Sequence, residues 1–245
     1  MTSVSQSVVR SFDVFRLFAD RRTALTAVEI AEHLQAPRSS VAALLKALVE
    51  LRMVSLNRRT LTYLPTLGFA QLGAWLTDPA HFPPHVAEVM ASLQRDCGET
   101  VTASWPLENE MEIIRVERSR LAISFVAEIG QRLPLWSSAV GAAYLASLSN
   151  SQIAARWEKD RRRLDGLPPI DEVLAQVSDV RNDGVAIVHS GVFEGASALA
   201  SIVNCEHDGR PMVVSIAGPE GRIHDNEADY RAALLHAIAA GGLSP

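Results

Sequence analysis

From Ala36 to Val54 the chain reads APRSSVAALLKALVELRMV, and most of its hydrogen-bond donors gather on one side of a helix. Val41, Leu44, Leu45 and Leu48 follow the i, i+3, i+4, i+7 rule and define a buried stripe. Ser39, Ala43 and Lys46 point the opposite way, flanked by Arg38 and Ala42. This small, slightly basic face suits close contact with a polyanion. Arg38 can donate to a phosphate or a guanine edge, Ser39 and Ser40 to a phosphate or a base, and Lys46 to a phosphate. Ala42 and Ala43 can only pack, for example on thymine methyls, so they permit approach without reading donors or acceptors. Arg58 and Arg59 lie in a polar turn further on, and Ser7 and Arg10 are weaker phosphate candidates.

Other combinations offer less chemistry. His81 and His85 have metal-ligand spacing, but Pro83 and Pro84 lie between them and break the helix that would present both rings; no metal is expected. The run KDRRRL reads as a salt-laced helix beside Glu158 and Asp165. No G-x-S-x-G, P-loop or G-x-G-x-x-G occurs, no Ser/His/Asp set can be assembled from spacing, and no cofactor is expected. Cys97 and Cys205 are too few for a disulfide framework and read as buried thiols.

Composition sets the frame. The chain has 245 residues, 48% of them hydrophobic and 21% charged, which is the balance of a globular protein with real cores. The net charge of −5 is unevenly spread: residues 1–80 carry nine Arg/Lys against six Asp/Glu, while the remainder is strongly acidic. A basic small unit on an acidic larger one suits a polyanion-binding head. No continuous apolar span or signal peptide is found, so a cytoplasmic location without membrane contact is the default expectation.

The elements that position these residues follow from periodicity. A first helix is expected over about Ser5 to Asp20. TAVEIAEHL opens with Thr26 and Glu29 in the T-x-x-E capping-box pattern, marking a short second helix. After QAP comes the helix described above, with Pro37 tolerated at its start. MVSLNRRTLTYLP then alternates around a polar turn as a β-hairpin. Three helices and a hairpin make a winged helix-turn-helix over residues 1–65. TLGFAQLGAWL reads as a linker helix, assigned with its punctuation to 66–80. Residues 81–245 mix helices with the strands TVTASW, MEIIRVE, LAISFVA, VAIVHS, SALASIVNC and PMVVSIAGP, which argues for an α+β domain with a largely antiparallel sheet.

In order and spacing, QSVVRSFDVFRLFA, LTAVEIAEHLQAPRSSVAALLKALVELRMV, GETV, LPLWSSAVGAAYLASL, VRNDG and SIAGPEGRI resemble the IclR family of bacterial transcriptional regulators over essentially the whole chain. The resemblance implies a winged helix-turn-helix head, a linker helix and a GAF-like effector domain. It also implies double-stranded operator DNA as a partner and a homodimer or dimer of dimers. The chain departs from the family where a larger polar residue is usual near Ala42 or Ala43. It departs again where P-L-H-A-x-A-x-G-K-A is frequent, with Trp136 for the histidine and Ala142 for the lysine. Ala198, Ile202 and Ala217 stand where cysteine, proline and serine are frequent.

The effector pocket carried over from the family uses Trp136, Ala139 and Val140 at the start of a helix, Ala196 and Ala198 on one strand, Ser215 and Ala217 on another, and His189 nearby. Helix N-termini attract carboxylates, so an organic acid fits. Trp136 with several small apolar residues favours an aromatic or hydrophobic one. Two alternatives stay open at this level: a small-molecule-binding protein or enzyme with an N-terminal oligomerisation module, and a DNA-binding protein with a vestigial pocket. Repression and activation are equally compatible with the sequence.

Overall fold

The computed structural model describes residues 5–75 and 81–244. The chain divides into two compact units, residues 1–81 and 82–245.

The N-terminal unit runs α1 (Gln6–Arg21), β1 (Leu25–Thr26), α2 (Ala27–His33), α3 (Arg38–Glu50), β2 (Val54–Asn57), β3 (Thr62–Pro65) and α4 (Leu67–Ala74). Its helices form where local signals place them. Thr26 caps α2: its Oγ1 accepts from the Glu29 N–H at 3.3 Å, and its own N–H donates to the Glu29 carboxylate at 2.7 Å. Pro37 stands at the start of α3, whose Val41, Leu45 and Leu48 are buried against Val14, Leu17 and Phe18 of α1 and Ile30 of α2. Each such side chain contributes roughly 1.5–3 kcal/mol through burial. β1, β3 and β2 form a small antiparallel sheet, so the wing is a three-stranded element; the two-residue β1 is too short to leave a periodic signal.

Thr66 caps α4 by accepting from the Phe69 N–H at 3.2 Å and donates to the Arg52 carbonyl at 2.6 Å. The Phe69 ring stacks on Phe15 of α1, with centroids 3.8 Å apart. The linker helix expected over 66–80 is thus seen from Leu67 to Ala74, and 76–80 lies outside the described residues.

The C-terminal unit contains α5 (Pro84–Cys97), β4 (Thr100–Leu107), β5 (Glu110–Glu117), β6 (Arg132–Pro134), α6 (Ala139–Ala146), α7 (Asn150–Asp160) and α8 (Ile170–Asp183). It continues with β7 (Ala186–His189), β8 (Ala196–His207), β9 (Arg210–Pro219), α9 (Glu220–Asp225) and α10 (Glu227–Ala240). Six strands form one antiparallel sheet in the order β6-β5-β4-β9-β8-β7. Alternation along the strands splits the unit into layers. Met212, Val214 and Ile216 of β9 join α5 and α10 in one core, while Val213 joins α6 and α8 in another on the opposite face. The fold is therefore α+β with an antiparallel sheet, as the alternation predicts. Among the described residues no helix is long and apolar enough to cross a membrane.

Two expectations are corrected, and one helix is added to them. LAISFVA, 121–127, forms no strand; short β6 takes the place beside β5. Side chains capture its carbonyls instead of a ladder: Thr100 Oγ1 donates to Phe125 O, and Arg222 Nη2 to Ile123 O at 2.8 Å. Helix α9, between the GP turn and α10, is a further element that the sequence pattern leaves unmarked. Cys97 and Cys205 are half-buried rather than buried, and desolvation pushes the Cys97 thiol up to about 11, well away from thiolate reactivity.

Candidate functional site

Two regions collect the residues singled out from sequence. In the N-terminal unit, Arg38, Ser39, Ser40, Ala42, Ala43 and Lys46 of α3 are all exposed, because the heptad stripe turns the leucines inward. Arg38 and Lys46 are only loosely tied, to Glu32 at 3.9 Å and Glu50 at 4.0 Å, with all four side chains well exposed. Such pairs are worth little and are easily exchanged for another anion. Arg58 and Arg59 project from the β2–β3 turn, which Asn57 shapes by accepting from the Arg59 N–H at 3.0 Å. Ser7 is exposed and Arg10 half-buried on the first turns of α1. A helix with a small basic face beside a wing with two arginines is the geometry of a DNA reader.

The C-terminal unit holds a cavity with an empty volume of about 510 Å³, part of it open to solvent. Sheet residues form its floor: Thr102, Ser215, Ala217, Ala196 and Ala198 lie together because Thr102 pairs with Ser215 and Ala198 with Ala217 in the ladder. Thr102 and Ser215 share a buried hydroxyl–hydroxyl hydrogen bond of 2.8 Å. The start of α6 supplies Ser138, Ala139 and Val140. Ser138 caps that helix, accepting from the Gly141 N–H at 3.1 Å, while the amides of the first turn have no intrahelical acceptor. Gly141 is required there, since a Cβ would stand 1.9 Å from the Leu135 carbonyl oxygen. Ile113, Leu133 and Val188 add apolar wall, and Phe125 and Phe193 face one another across the mouth with ring centroids 5.4 Å apart. Among the described lining residues none is charged.

Six of the eight residues expected at the pocket, Ala139, Val140, Ala196, Ala198, Ser215 and Ala217, line this cavity. The other two do not. Trp136 is buried in the α6–α8 core, and its indole N–H donates to Asp160 Oδ2 at 3.0 Å. His189 stands at the exposed end of edge strand β7, with Nδ1 3.2 Å from Ser197 Oγ and Nε2 3.4 Å from Glu227. Thr102, Phe125, Ser138, Phe193 and Ser197 also line the cavity and are not among the residues expected from the sequence. The two phenylalanines sit on loops, where no periodicity marks a face, although Gly191 and Gly195 flank Phe193. Gly191 lets that loop lie close, because a Cβ would meet Val188 Cγ1 at 2.3 Å.

Elsewhere KDRRRL is salt-laced but is not a helix throughout: α7 ends at Asp160 and residues 161–163 form the turn after it, from which Arg161 and Arg162 both reach Glu158 and hold its carboxyl down to about 2.

A winged helix-turn-helix unit and a second, sheet-based unit with a partly open apolar cavity fit the class of two-domain DNA-binding regulators. Comparison with known proteins makes the assignment specific. Residues 82–241 match the family described as bacterial transcriptional regulator IclR C-terminal, and residues 7–58 match the IclR helix-turn-helix domain. The chain belongs to the IclR family of DNA-binding transcriptional regulators. It is 23% identical to the transcriptional repressor IclR of Escherichia coli, over 99% of this chain and 92% of that one. It is 23% identical to the Pca regulon regulatory protein of Pseudomonas putida, over 92% and 78%. The crystal structure of the Thermotoga maritima IclR superposes with a TM-score of 0.75 at 17% identity, covering 96% of each chain. That of a regulator from Alicyclobacillus acidocaldarius gives 0.69 at 21% identity, covering 98% of each. The relatives found are regulators, not enzymes.

Proposed function

We propose that this chain binds operator DNA as a homodimer or dimer of dimers through α3 and the wing, and that a small organic acid with an aromatic or hydrophobic body occupies the cavity and shifts DNA affinity. The observation that carries the ligand class is the cavity's lining. Apolar walls and two phenylalanine rings surround a polar end built from Ser138, the Thr102–Ser215 hydroxyl pair and the first-turn amides of α6. A helix N-terminus receives a carboxylate without a cationic side chain, and the phenylalanines accommodate a ring. Phe125 and Phe193 support an aromatic acid, whereas Trp136 lies outside the cavity lining. A cytoplasmic location accords with this reading.

Self-association is supported by the N-terminal unit, where Phe12 is 59%, Leu67 85% and Trp75 55% exposed. Apolar side chains of this size left uncovered on α1 and near α4 suit burial against a second copy.

A panel of aromatic carboxylates tests the cavity. A fitting acid at about a hundred times its Kd should stabilise the C-terminal unit by roughly 2.7 kcal/mol in a thermal shift. The stabilisation should vanish in Ala198→Phe, which fills the floor, and persist in Lys46→Ala. If no acid stabilises the protein, or Ala198→Phe responds like the parent, the cavity is only packing space.

On the DNA side, Arg38→Ala should cost about 1–3 kcal/mol and relax sequence preference at one position, whereas Lys46→Ala should weaken binding to all duplexes about equally. Competition with non-specific DNA distinguishes the two outcomes. With alanines at 42 and 43, more of the selectivity falls to Arg38, the serines, the wing and DNA shape.

A further inference from the structure

Three side chains outside the cavity converge from three separate elements. His189 ends edge strand β7, His224 lies on α9, and Glu227 begins α10. One donor atom from each lies within 4.8 Å of the others. His189 Nε2 is 3.4 Å from Glu227 Oε2, and the two imidazole rings meet edge to face with centroids 6.0 Å apart. We propose that His189, His224 and Glu227 form a binding site for a divalent transition-metal ion of the zinc class.

The donor set carries the chemical class. Two imidazoles and one carboxylate suit borderline ions such as Zn²⁺ and Co²⁺, whereas Ca²⁺ and Mg²⁺ prefer all-oxygen surroundings. Zinc bonds of about 2.0–2.1 Å require the donors to draw together by roughly 1 Å, a movement that side-chain rotation supplies because both histidines are exposed. Solvent completes the coordination on the open side.

The surroundings already orient the principal ligand. With metal on His189 Nε2, the imidazole carries its proton on Nδ1 and donates it to Ser197 Oγ, the 3.2 Å contact seen here. Ser197 is buried, at 3% exposure, and so is a fixed acceptor. On the other side, Asn226 holds the α9–α10 corner by donating from Nδ2 to the Arg222 carbonyl at 2.8 Å, which fixes the spacing of His224 and Glu227.

A metal here ties the edge strand to the α9–α10 corner. It also braces the loop that follows His189, where Ser190 Oγ donates to Glu220 at 2.6 Å and Phe193 reaches the cavity. The site stands on its own donors and does not depend on which ligand, if any, the cavity takes.

The test is a titration of tag-free, chelator-stripped full-length protein with Co²⁺ alone, read by visible ligand-field absorption, followed by displacement with Zn²⁺. One equivalent of Co²⁺ should develop an absorption that Zn²⁺ removes. His224→Ala should lower the affinity at least tenfold, on the scale that losing even an outer-shell partner costs a metal site. Glu227→Gln, which keeps both imidazoles and the helix start, should do the same, with far-UV circular dichroism confirming that each variant is folded. Absence of a stoichiometric absorption in the parent overturns the proposal. So does an absorption that both folded variants retain at the parent's affinity, because the ion would then sit elsewhere.

Discussion

Arg222→Met should destabilise the C-terminal unit by about 3–5 kcal/mol, measured as a shift in the urea midpoint of that unit's transition. Glu99 is fully buried, at 0% exposure, and Arg222 is its ion-pair partner: two guanidinium nitrogens contact the two carboxylate oxygens, Nη2 to Oε2 at 2.9 Å. Removing the cation leaves a carboxylate in the core without compensation. The surrounding chain is built around this pair, since a Cβ on Gly218 would lie 2.7 Å from Glu99 Oε2. Replacing both members, Glu99→Met with Arg222→Met, should recover much of the loss, because apolar side chains of similar volume need no partner. Arg222 also holds the Ile123 carbonyl, so the single variant should loosen the segment that carries Phe125 to the cavity mouth. Ligand affinity should then fall together with stability, and the double variant should restore stability more fully than affinity.

Trp136→Ala should cost about 3–5 kcal/mol of stability through the cavity it leaves in the α6–α8 core. Trp136→Phe isolates the hydrogen bond. It keeps most of the packing but strands Asp160, itself only 7% exposed, and should cost roughly 1–3 kcal/mol. Because the indole faces Asp160 and does not line the cavity, Trp136→Phe should leave the affinity for a cavity ligand unchanged. Calorimetric titration of the folded variant at a temperature well below its Tm separates the two effects. A large loss of affinity with intact folding would place the tryptophan at the ligand after all.

The position of Trp136, hydrogen-bonded to Asp160 and outside the cavity lining, illustrates which parts of this molecule are legible in the sequence. Signals carried within four residues read through directly: the Thr26–Glu29 cap, the Val41–Leu45–Leu48 stripe, and the stops of α5 and α8 at Gly98 and Gly184, both at φ 72°. Period-two alternation likewise places Ala196 with Ala198 and Ser215 with Ala217 on the cavity side of the sheet. Trp136 precedes its helix, where no periodicity applies, and its direction is decided by Asp160, 24 residues away. The resemblance to the family, in which a histidine is frequent at this position, places the residue at the pocket, whereas the bulky indole with its single donor turns to the buried Asp160 carboxylate.

Loops are opaque for a related reason. LAISFVA has the composition of a strand, yet its carbonyls are claimed by Thr100 and Arg222, and Ile123 stays 74% exposed. Glu99 and Arg222, separated by 123 residues, give no local sign of their pairing. The same holds for His189, His224 and Glu227, which only the β7–α9–α10 packing brings together. Short-range chemistry is written along the chain, whereas the cavity mouth and the buried charges depend on sheet order.

The most direct test of the account is selection of random duplex DNA by the full-length protein, followed by salt titration of the enriched sequence. Two-fold-symmetric sites should emerge with half-sites about 34 Å apart or a multiple of it, and their affinity should fall steeply as salt rises. Replacing Arg38, Lys46, Arg58 and Arg59 together by alanine should abolish the enrichment while leaving the chain folded. No enriched sequence, an affinity indifferent to salt, or undiminished binding by that variant would contradict DNA recognition by α3 and the wing.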